Sequence, residues 1–173
     1  DAGGVTSHIG SAYRTVEGSC VIDVERGRWR LMRISDVLRG KGDLVVTIGP
    51  EEDVRTLLDR LAENRIGAIV VAGEDGGIAG IVSERDVVRG MQREGAALLD
   101  RQVGSIMTAD VHTCAPEASI EDLMVEMTEH RFRHVPVVAD GRMCGIVSIG
   151  DVVKYRIEEL QSERDHLTAY ITG

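Results

Sequence analysis

Aromatic residues are scarce in this chain: one Trp, one Phe and three Tyr make up 3% of 173 positions. So few flat rings do not furnish the stacking platforms that hold single-stranded nucleic acid. Positive charge is short as well. Twenty Lys and Arg stand against 29 Asp and Glu, and a formal net charge of -9 with no basic block repels a phosphodiester backbone. Nucleic acid is therefore not expected as a partner, although a small phosphorylated ligand needs only a few local cations. The three cysteines, Cys20, Cys114 and Cys144, are odd in number and widely spaced, which suits neither a disulfide framework nor a CxxC metal knuckle. A cytoplasmic, reducing location is the expectation. No apolar run approaches the roughly 18 residues that cross a bilayer, and residues 1–10 lack the basic start and apolar core of a signal sequence. Neither secretion nor a membrane span is expected.

What the chain does have is 43% hydrophobic residues, enough for a core, and a long internal repeat. Residues 1–31 carry Gly3, Gly4, Gly10, Gly18 and Gly27 without sustained periodicity. They read as an extension with one possible strand at Cys20–Val24. A linker, a cloning remnant and sequence ahead of a start at Met32 all remain open. Beyond Met32, a shift of 66 places pairs Val45 with Val111, Thr47 with Thr113, Pro50 with Pro116, Glu51 with Glu117, Leu57 with Leu123, Glu63 with Glu129, Arg65 with Arg131 and Val71 with Val137. One residue is then deleted in a turn. The shift becomes 65, and Gly80-Ile81-Val82-Ser83 meets Gly145-Ile146-Val147-Ser148 while Asp86-Val87-Val88 meets Asp151-Val152-Val153. A fixed period of this kind decides the architecture before any motif does.

Each copy has the same grammar. A short strand at Val45–Thr47 or Val111–Thr113 leads through Pro50 or Pro116, expected in a helix's first turn, into a helix ending near Asn64 or His130. The apolar stripes Val54, Leu57, Leu58, Leu61 and Ile120, Leu123, Met124, Met127 fall at i, i+3, i+4, i+7. Ser119 followed by Asp122 fits a variant capping box. Hairpins follow, Ala68–Val71 with Ile78–Ser83 and Val135–Val138 with Met143–Ser148. Second helices then run over about Glu84–Arg93 and from Ile149 to about Glu163. The fold class is α+β, two pseudo-symmetric β-α-β-β-α repeats expected to pack sheet against sheet. The last helix is expected to continue through Ile157, Leu160, Leu167 and Ile171 at near-heptad spacing, either lying across its own domain or serving as a dimer or docking contact.

These residues resemble a known family, the tandem cystathionine-β-synthase (CBS) domains that form a Bateman module. The motifs that carry the resemblance are Gly80-Ile81-Val82-Ser83-Glu84-Arg85-Asp86, Gly145-Ile146-Val147-Ser148-Ile149-Gly150-Asp151 and Arg131-Phe132-Arg133-His134-Val135-Pro136-Val137-Val138. The resemblance spans about Ile34 to Lys154, and the C-terminal helix is similar to that of stand-alone bacterial and plant organellar pairs. It divides the chain into an extension (1–31), CBS domain 1 (32–96), CBS domain 2 (97–156) and a helical extension (157–173). It implies binding of AMP, ATP or NAD(H), with S-adenosylmethionine ranked behind them, a homodimer, and regulation of an unidentified partner protein. No cofactor is obligatory.

At the level of residues, Ser83 with Asp86 and Ser148 with Asp151 sit where a strand passes into a helix, and a helix N-terminus favours phosphate. Asp86 and Asp151 match the family's acceptors of the two ribose hydroxyls, a role that acidic residues also fill in dinucleotide folds. Thr47 and Thr113 match positions lining the base and phosphate region, and Arg133 and His134 resemble phosphate contacts. The preferred single site is Thr113, Arg133, His134, Ser148 and Asp151; a second is Thr47, Ser83, Arg85 and Asp86. One site or two remains open. Against each role stands a plainer one: Asp86 and Asp151 as helix caps, the threonines as strand formers, Arg133 as a solvated charge, His134 as a strand-edge residue.

No catalytic constellation and no metal site is expected. His130 and His134 have i, i+4 spacing, but Arg-Phe-Arg lies between them, not the Glu-x-x of a zinc protease. Cys114 and Cys144 read as packing residues. The expected function is a regulatory nucleotide sensor that is not an enzyme. The alternative is a constitutive interaction module with empty clefts, recognised through its C-terminal helix.

Overall fold

The computed structural model describes residues 20–23, 28–41, 45–74 and 76–172. The chain divides into two units, Asp1–Leu31 and Met32–Gly173. In the first, β1 (Cys20–Asp23) and β2 (Arg28–Leu31) pair as an antiparallel hairpin. The strand expected at Cys20–Val24 is present as β1, with Val24 outside the described residues; its partner β2 had no signal in the sequence. The glycine-rich residues 1–19 also lie outside the described set.

The second unit holds both repeats. A helix, α1 (Ile34–Lys41), precedes them. Repeat one is β3 (Thr47–Ile48), α2 (Val54–Asn64), β4 (Ala68–Ala72), β5 (Ile78–Ser83) and α3 (Glu84–Glu94). After a 3-10 segment at Gly95–Asp100 and a second at Val103–Ser105, repeat two contributes α4 (Ile120–His130), β6 (His134–Ala139), β7 (Arg142–Ser148) and α5 (Ile149–Thr172). The first sheet has the order β3-β4-β5, and β6 and β7 form a two-stranded partner. Among the described residues no helix is long and apolar enough to cross a membrane.

Two expectations need correction. The strand at Val111–Thr113 does not form. Only Cys114 pairs, as a single parallel bridge to Val137, with Cys114 N–H donating to Pro136 O and Val138 N–H to Cys114 O. The next rung of a parallel ladder needs an N–H at position 136, and proline has none. Repeat one has Val70 there, and β3 forms. Nor do the prolines enter the helices. Asp53 caps α2, its Oδ1 accepting Thr56 N–H at 2.8 Å, and Ser119 Oγ caps α4 from Asp122 N–H at 3.4 Å, so Pro50 and Pro116 fall several residues upstream.

Those prolines have another task. Pro50 O accepts Gly104 N–H and Glu52 O accepts Val103 N–H, both at 2.8 Å. Their counterparts repeat the pattern: Pro116 O accepts Ser35 N–H at 2.8 Å and Ala118 O accepts Ile34 N–H at 3.0 Å. The segment before repeat one is thus stitched to repeat two, and the segment between the repeats to repeat one. Packing follows the same exchange. Ile34 and Val37 join Ile120, Leu123, Met127, Val135, Val137, Val147 and Val152 in one buried cluster, with Cys114 and Cys144 packed against it. Leu98 and Val103 join Val54, Leu57, Leu61, Ile69, Val71, Val82 and Val87 in the other. The expected helix stripes are buried, with Leu58 and Met124 at their half-buried edges. The core therefore holds two clusters, one per repeat, while Ala68 and Val70, on the β4 face opposite Ile69 and Val71, are buried outside both.

Glycine permits this closeness. A Cβ on Gly80 would lie 2.6 Å from Met107 Sδ and 2.9 Å from the Thr108 carbonyl oxygen; one on Gly145 would lie 2.6 Å from a Leu38 methyl carbon. At Gly80, where a backbone oxygen is the neighbour, only a residue without a side chain fits at such a distance.

Candidate functional site

The two strand-to-helix corners have the same internal geometry. Ser83 N–H and Oγ–H both donate to Asp86 Oδ2, at 2.9 and 2.6 Å. Ser148 N–H and Oγ–H both donate to Asp151 Oδ2, at 2.8 and 2.7 Å. Each aspartate does cap its helix, as the plainer reading requires. Capping engages one carboxylate oxygen in each case, which leaves the other as an acceptor.

The surroundings of the corners differ. Ser83, Arg85 and Asp86 open onto a cavity of about 390 Å³, bordered also by Gly67, Ala68 and Arg89 from repeat one. Its far wall is Thr108 and Asp110–His112 from the connecting segment and His130–His134 from repeat two. Arg131 ends α4 in the left-handed conformation (φ 59°), a strained choice for a side-chain-bearing residue. That turn carries Phe132, Arg133 and His134 to the cavity. Arg85 reaches over to Arg131 O at 3.5 Å.

Four arginines (85, 89, 131, 133) and three histidines (112, 130, 134) face Glu84, Asp86 and Asp110 here. In a chain of net charge -9, the four arginines are a local concentration of positive charge suited to an anion. The single phenylalanine, Phe132, stacks against His112 with centroids 4.7 Å apart and against His130 at 6.0 Å. His112 is fixed by Glu126, Nε2 to Oε2, at 2.7 Å. Three near-parallel rings, stacked through Phe132, therefore border the cavity.

His134 is mostly buried. Burial lowers its pKa below the usual 6.5, the Lys41 ammonium adds to this, and Asp151 and Glu84 oppose it. It meets a ligand as a neutral hydrogen-bonding imidazole at pH 7, not as a cation.

At the second corner Asp151 is occupied from within. Lys41, at the C-terminus of α1, places Nζ 2.6 Å from Asp151 Oδ2 and donates to Ile146 O at 3.2 Å. Burial pushes the Asp151 carboxyl up, but the Lys41 ammonium and the Ser148 N–H and hydroxyl outweigh it and hold the pKa below 3.8.

The structure thus brings Ser83, Arg85, Asp86, Arg133 and His134 to one cavity, drawing on both of the sequence-based sets. Ser148 and Asp151 form the other corner. Thr47 sits in β3 with its carbonyl bound by Arg60 at 2.7 Å, and exposed Thr113 precedes the Cys114 bridge; neither lines the cavity. Arg89, Phe132, His112 and Lys41 escaped the sequence reading, and His130 was weighed there only as half of a metal-ligand spacing. Only Phe132 and Arg131 lay inside a quoted motif, and nothing in the local pattern marked Lys41. No cluster able to hold a metal occurs among the described residues, and burial raises the Cys114 thiol to about 11, which makes it a poor nucleophile.

Comparison with known proteins agrees with this architecture. The CBS domain profile matches residues 42–93 and again 103–158. The mitochondrial CBS domain-containing protein CBSX3 of Arabidopsis thaliana is 35% identical over 158 residues, 87% of this chain and 77% of its own length. Among solved structures, the CBS-domain containing protein ATU1752 of Agrobacterium tumefaciens is 44% identical with a TM-score of 0.71, over 72% of this chain and 99% of that one. The CBS domain pair of protein MJ0100, solved with 5-methylthioadenosine and S-adenosyl-L-methionine, shares the fold at 20% identity and a TM-score of 0.65, over 73% of this chain and 96% of that one. Two copies of one unit, exchanged entry segments and doubled serine–aspartate corners, together with these matches, establish that the chain belongs to the CBS-domain family as a tandem CBS pair.

Proposed function

We propose that this CBS pair is a regulatory sensor of phosphorylated adenosine, taken up in the cavity beside Asp86. The observation that carries the reading is the charge: four arginines gathered around one cavity that ends at an aspartate able to accept ribose hydroxyls. The adenosine-type ligands of the MJ0100 pair support an adenosyl group in this fold. The arginines favour phosphate over the sulfonium cation of S-adenosylmethionine. Arg85, Arg131, Phe132 and Arg133 also border a neighbouring cavity of about 410 Å³, which favours ADP, ATP or NAD(H) over AMP. The cavity is walled by both repeats, so an occupant ties them together, and a partner protein reads the tightened state. No chemical step is assigned, and the protein is read as a non-enzyme without an obligatory cofactor.

The test is melting of the full chain against AMP, ADP, ATP, NADH and S-adenosylmethionine. A ligand at 100 times its Kd adds about 2.7 kcal/mol, which reads as a clear rise in Tm. Unchanged melting with the whole panel at millimolar concentration overturns the reading.

A second reading has its own observation. On α5, Leu167 and Ile171 are 65% and 81% exposed and Ile157 and Leu160 about half exposed, although Glu159 on another face of the helix is buried. With Val88, Met91, Val125 and Val153 also exposed, these residues suit a homodimer or constitutive docking to another protein. Removal of residues 162–173 separates the readings. Nucleotide binding survives it under the first, whereas under the second partner recognition is lost and nucleotides remain irrelevant.

A further inference from the structure

We infer that Lys41 is a built-in occupant of the second corner, restricting this chain to one nucleotide, bound at Asp86. The inference rests on the nucleotide reading of that first corner. Its basis is a difference between two otherwise matching places. Both aspartates receive the same pair of serine donors at nearly the same distances, yet Asp151 alone holds an ammonium group, at 2.6 Å. Lys41 Nζ shares Oδ2 with the two serine donors, so Asp151 keeps Oδ1 as an acceptor. Its charge is already paired, however, and a ribose hydroxyl approaching it meets an ammonium beside the carboxylate.

The cause lies outside the repeat motif. The connecting segments correspond: Met107 packs on Gly80 as Leu38 packs on Gly145. After Met107 the chain has left its 3-10 turn, and Thr108 pairs through its backbone with Ile81, N–H to O at 2.9 Å in both directions. After Leu38 the chain is still helical. α1 runs on to Lys41, where the connecting segment's 3-10 turn stopped at Ser105. That extra length delivers the Lys41 side chain to Ile146 O, the counterpart of the Ile81 carbonyl, and onto Asp151.

The cations around the second corner are also fewer by correspondence. Lys154 replaces Arg89 and Arg65 replaces Arg131, but Gly150 replaces Arg85 and Gly67 replaces Arg133. A nucleotide there has less to gain, and the lysine it must displace is held by two acceptors. The pair is only partly buried, with side chains 39% and 27% exposed, so its removal is compatible with folding.

The experiment is calorimetric titration of ADP into the full chain as wild type, Lys41→Ala, Lys41→Met and Lys41→Ala/Asp151→Ala. Lys41→Met keeps most of the aliphatic stem and guards against a packing defect. The wild type is expected to take one equivalent. Both single variants take a second, weaker one, and the double variant returns to one. Two equivalents in the wild type, or one in both folded single variants, overturn the latch and leave the Asp86 reading intact. No ADP uptake by wild type or variants overturns the Asp86 reading and the latch together.

Discussion

The two halves of this molecule differ less in their repeats than in what is laid against them. Repeat one receives a segment whose last 3-10 turn ends at Ser105 and which leaves its serine–aspartate corner facing an arginine-lined cavity. Repeat two receives a helix whose last residue sits on the corresponding aspartate. Duplication supplied two equal scaffolds, and the unequal entry segments made them into different sites. The comparison teaches that motif copies should be counted by what surrounds them, since a corner can be complete in sequence and filled in space.

The sharpest way to break this comparison is to remove each aspartate in turn. Asp86→Ala deletes an acceptor of two charge-assisted hydrogen bonds, each worth about 1.5–3 kcal/mol, so ADP affinity by calorimetry should fall roughly 100-fold or more. Asp151→Ala should leave the affinity of the first site within about two-fold. Equal losses in the two variants would mean that both corners serve one ligand, and the asymmetry would have to be abandoned.

The exchanged segments give the next largest effect. Ile34 and Leu98 are fully buried in opposite clusters, and truncating such a residue to Ala costs about 2–5 kcal/mol. Ile34→Ala, although it precedes repeat one in sequence, should accelerate amide exchange in β6 and β7. Leu98→Ala should do so in β4 and β5. Acceleration in the half adjacent in sequence would contradict the exchange.

Much of this was legible beforehand, for physical reasons that can be named. Helices α2 and α4 announced themselves because Val54, Leu57 and Leu61, like Ile120, Leu123 and Met127, must all face one core. The hairpins followed from β-branched runs around Asp140-Gly141 and residues 73–77. The corners were visible as motifs because cap and strand are local. What stayed hidden was long-range. Nothing near Lys41 in sequence points to Asp151, 110 residues away, and the cavity's far wall is built from His112, His130 and Phe132, whose stacking brings together residues up to 20 positions apart. The absent strand at Val111–Thr113 was readable in principle: Pro136 lay inside a quoted motif, but its missing N–H matters only once the register with Cys114 is known.

A smaller effect distinguishes the two close approaches. Gly80→Ala sets a methyl group against the Thr108 backbone carbonyl as well as Met107, and such overpacking costs about 1–3 kcal/mol. Gly145→Ala meets only the end of the Leu38 side chain, which can turn aside. Thermal melting should show the larger loss at position 80. The reverse order would mean that the entry helix is held more rigidly than the segment between the repeats.

The smallest difference concerns His134, whose counterpart in repeat one is Ala68. With its pKa held below 6.5 by burial, the folded protein takes up this proton at lower pH than the unfolded chain. Between that depressed value and 6.5 the unfolded chain binds more protons, so stability from the neutral imidazole is complete above 6.5 and declines as pH falls through the window. Asp151, held below 3.8, keeps its charge there and contributes no slope until more acidic pH. Melting followed from pH 7 to pH 5.5 should therefore drop more in wild type than in His134→Gln, which has no proton to take up. Parallel curves for the two proteins would place the imidazole in solvent and remove this asymmetry between the halves.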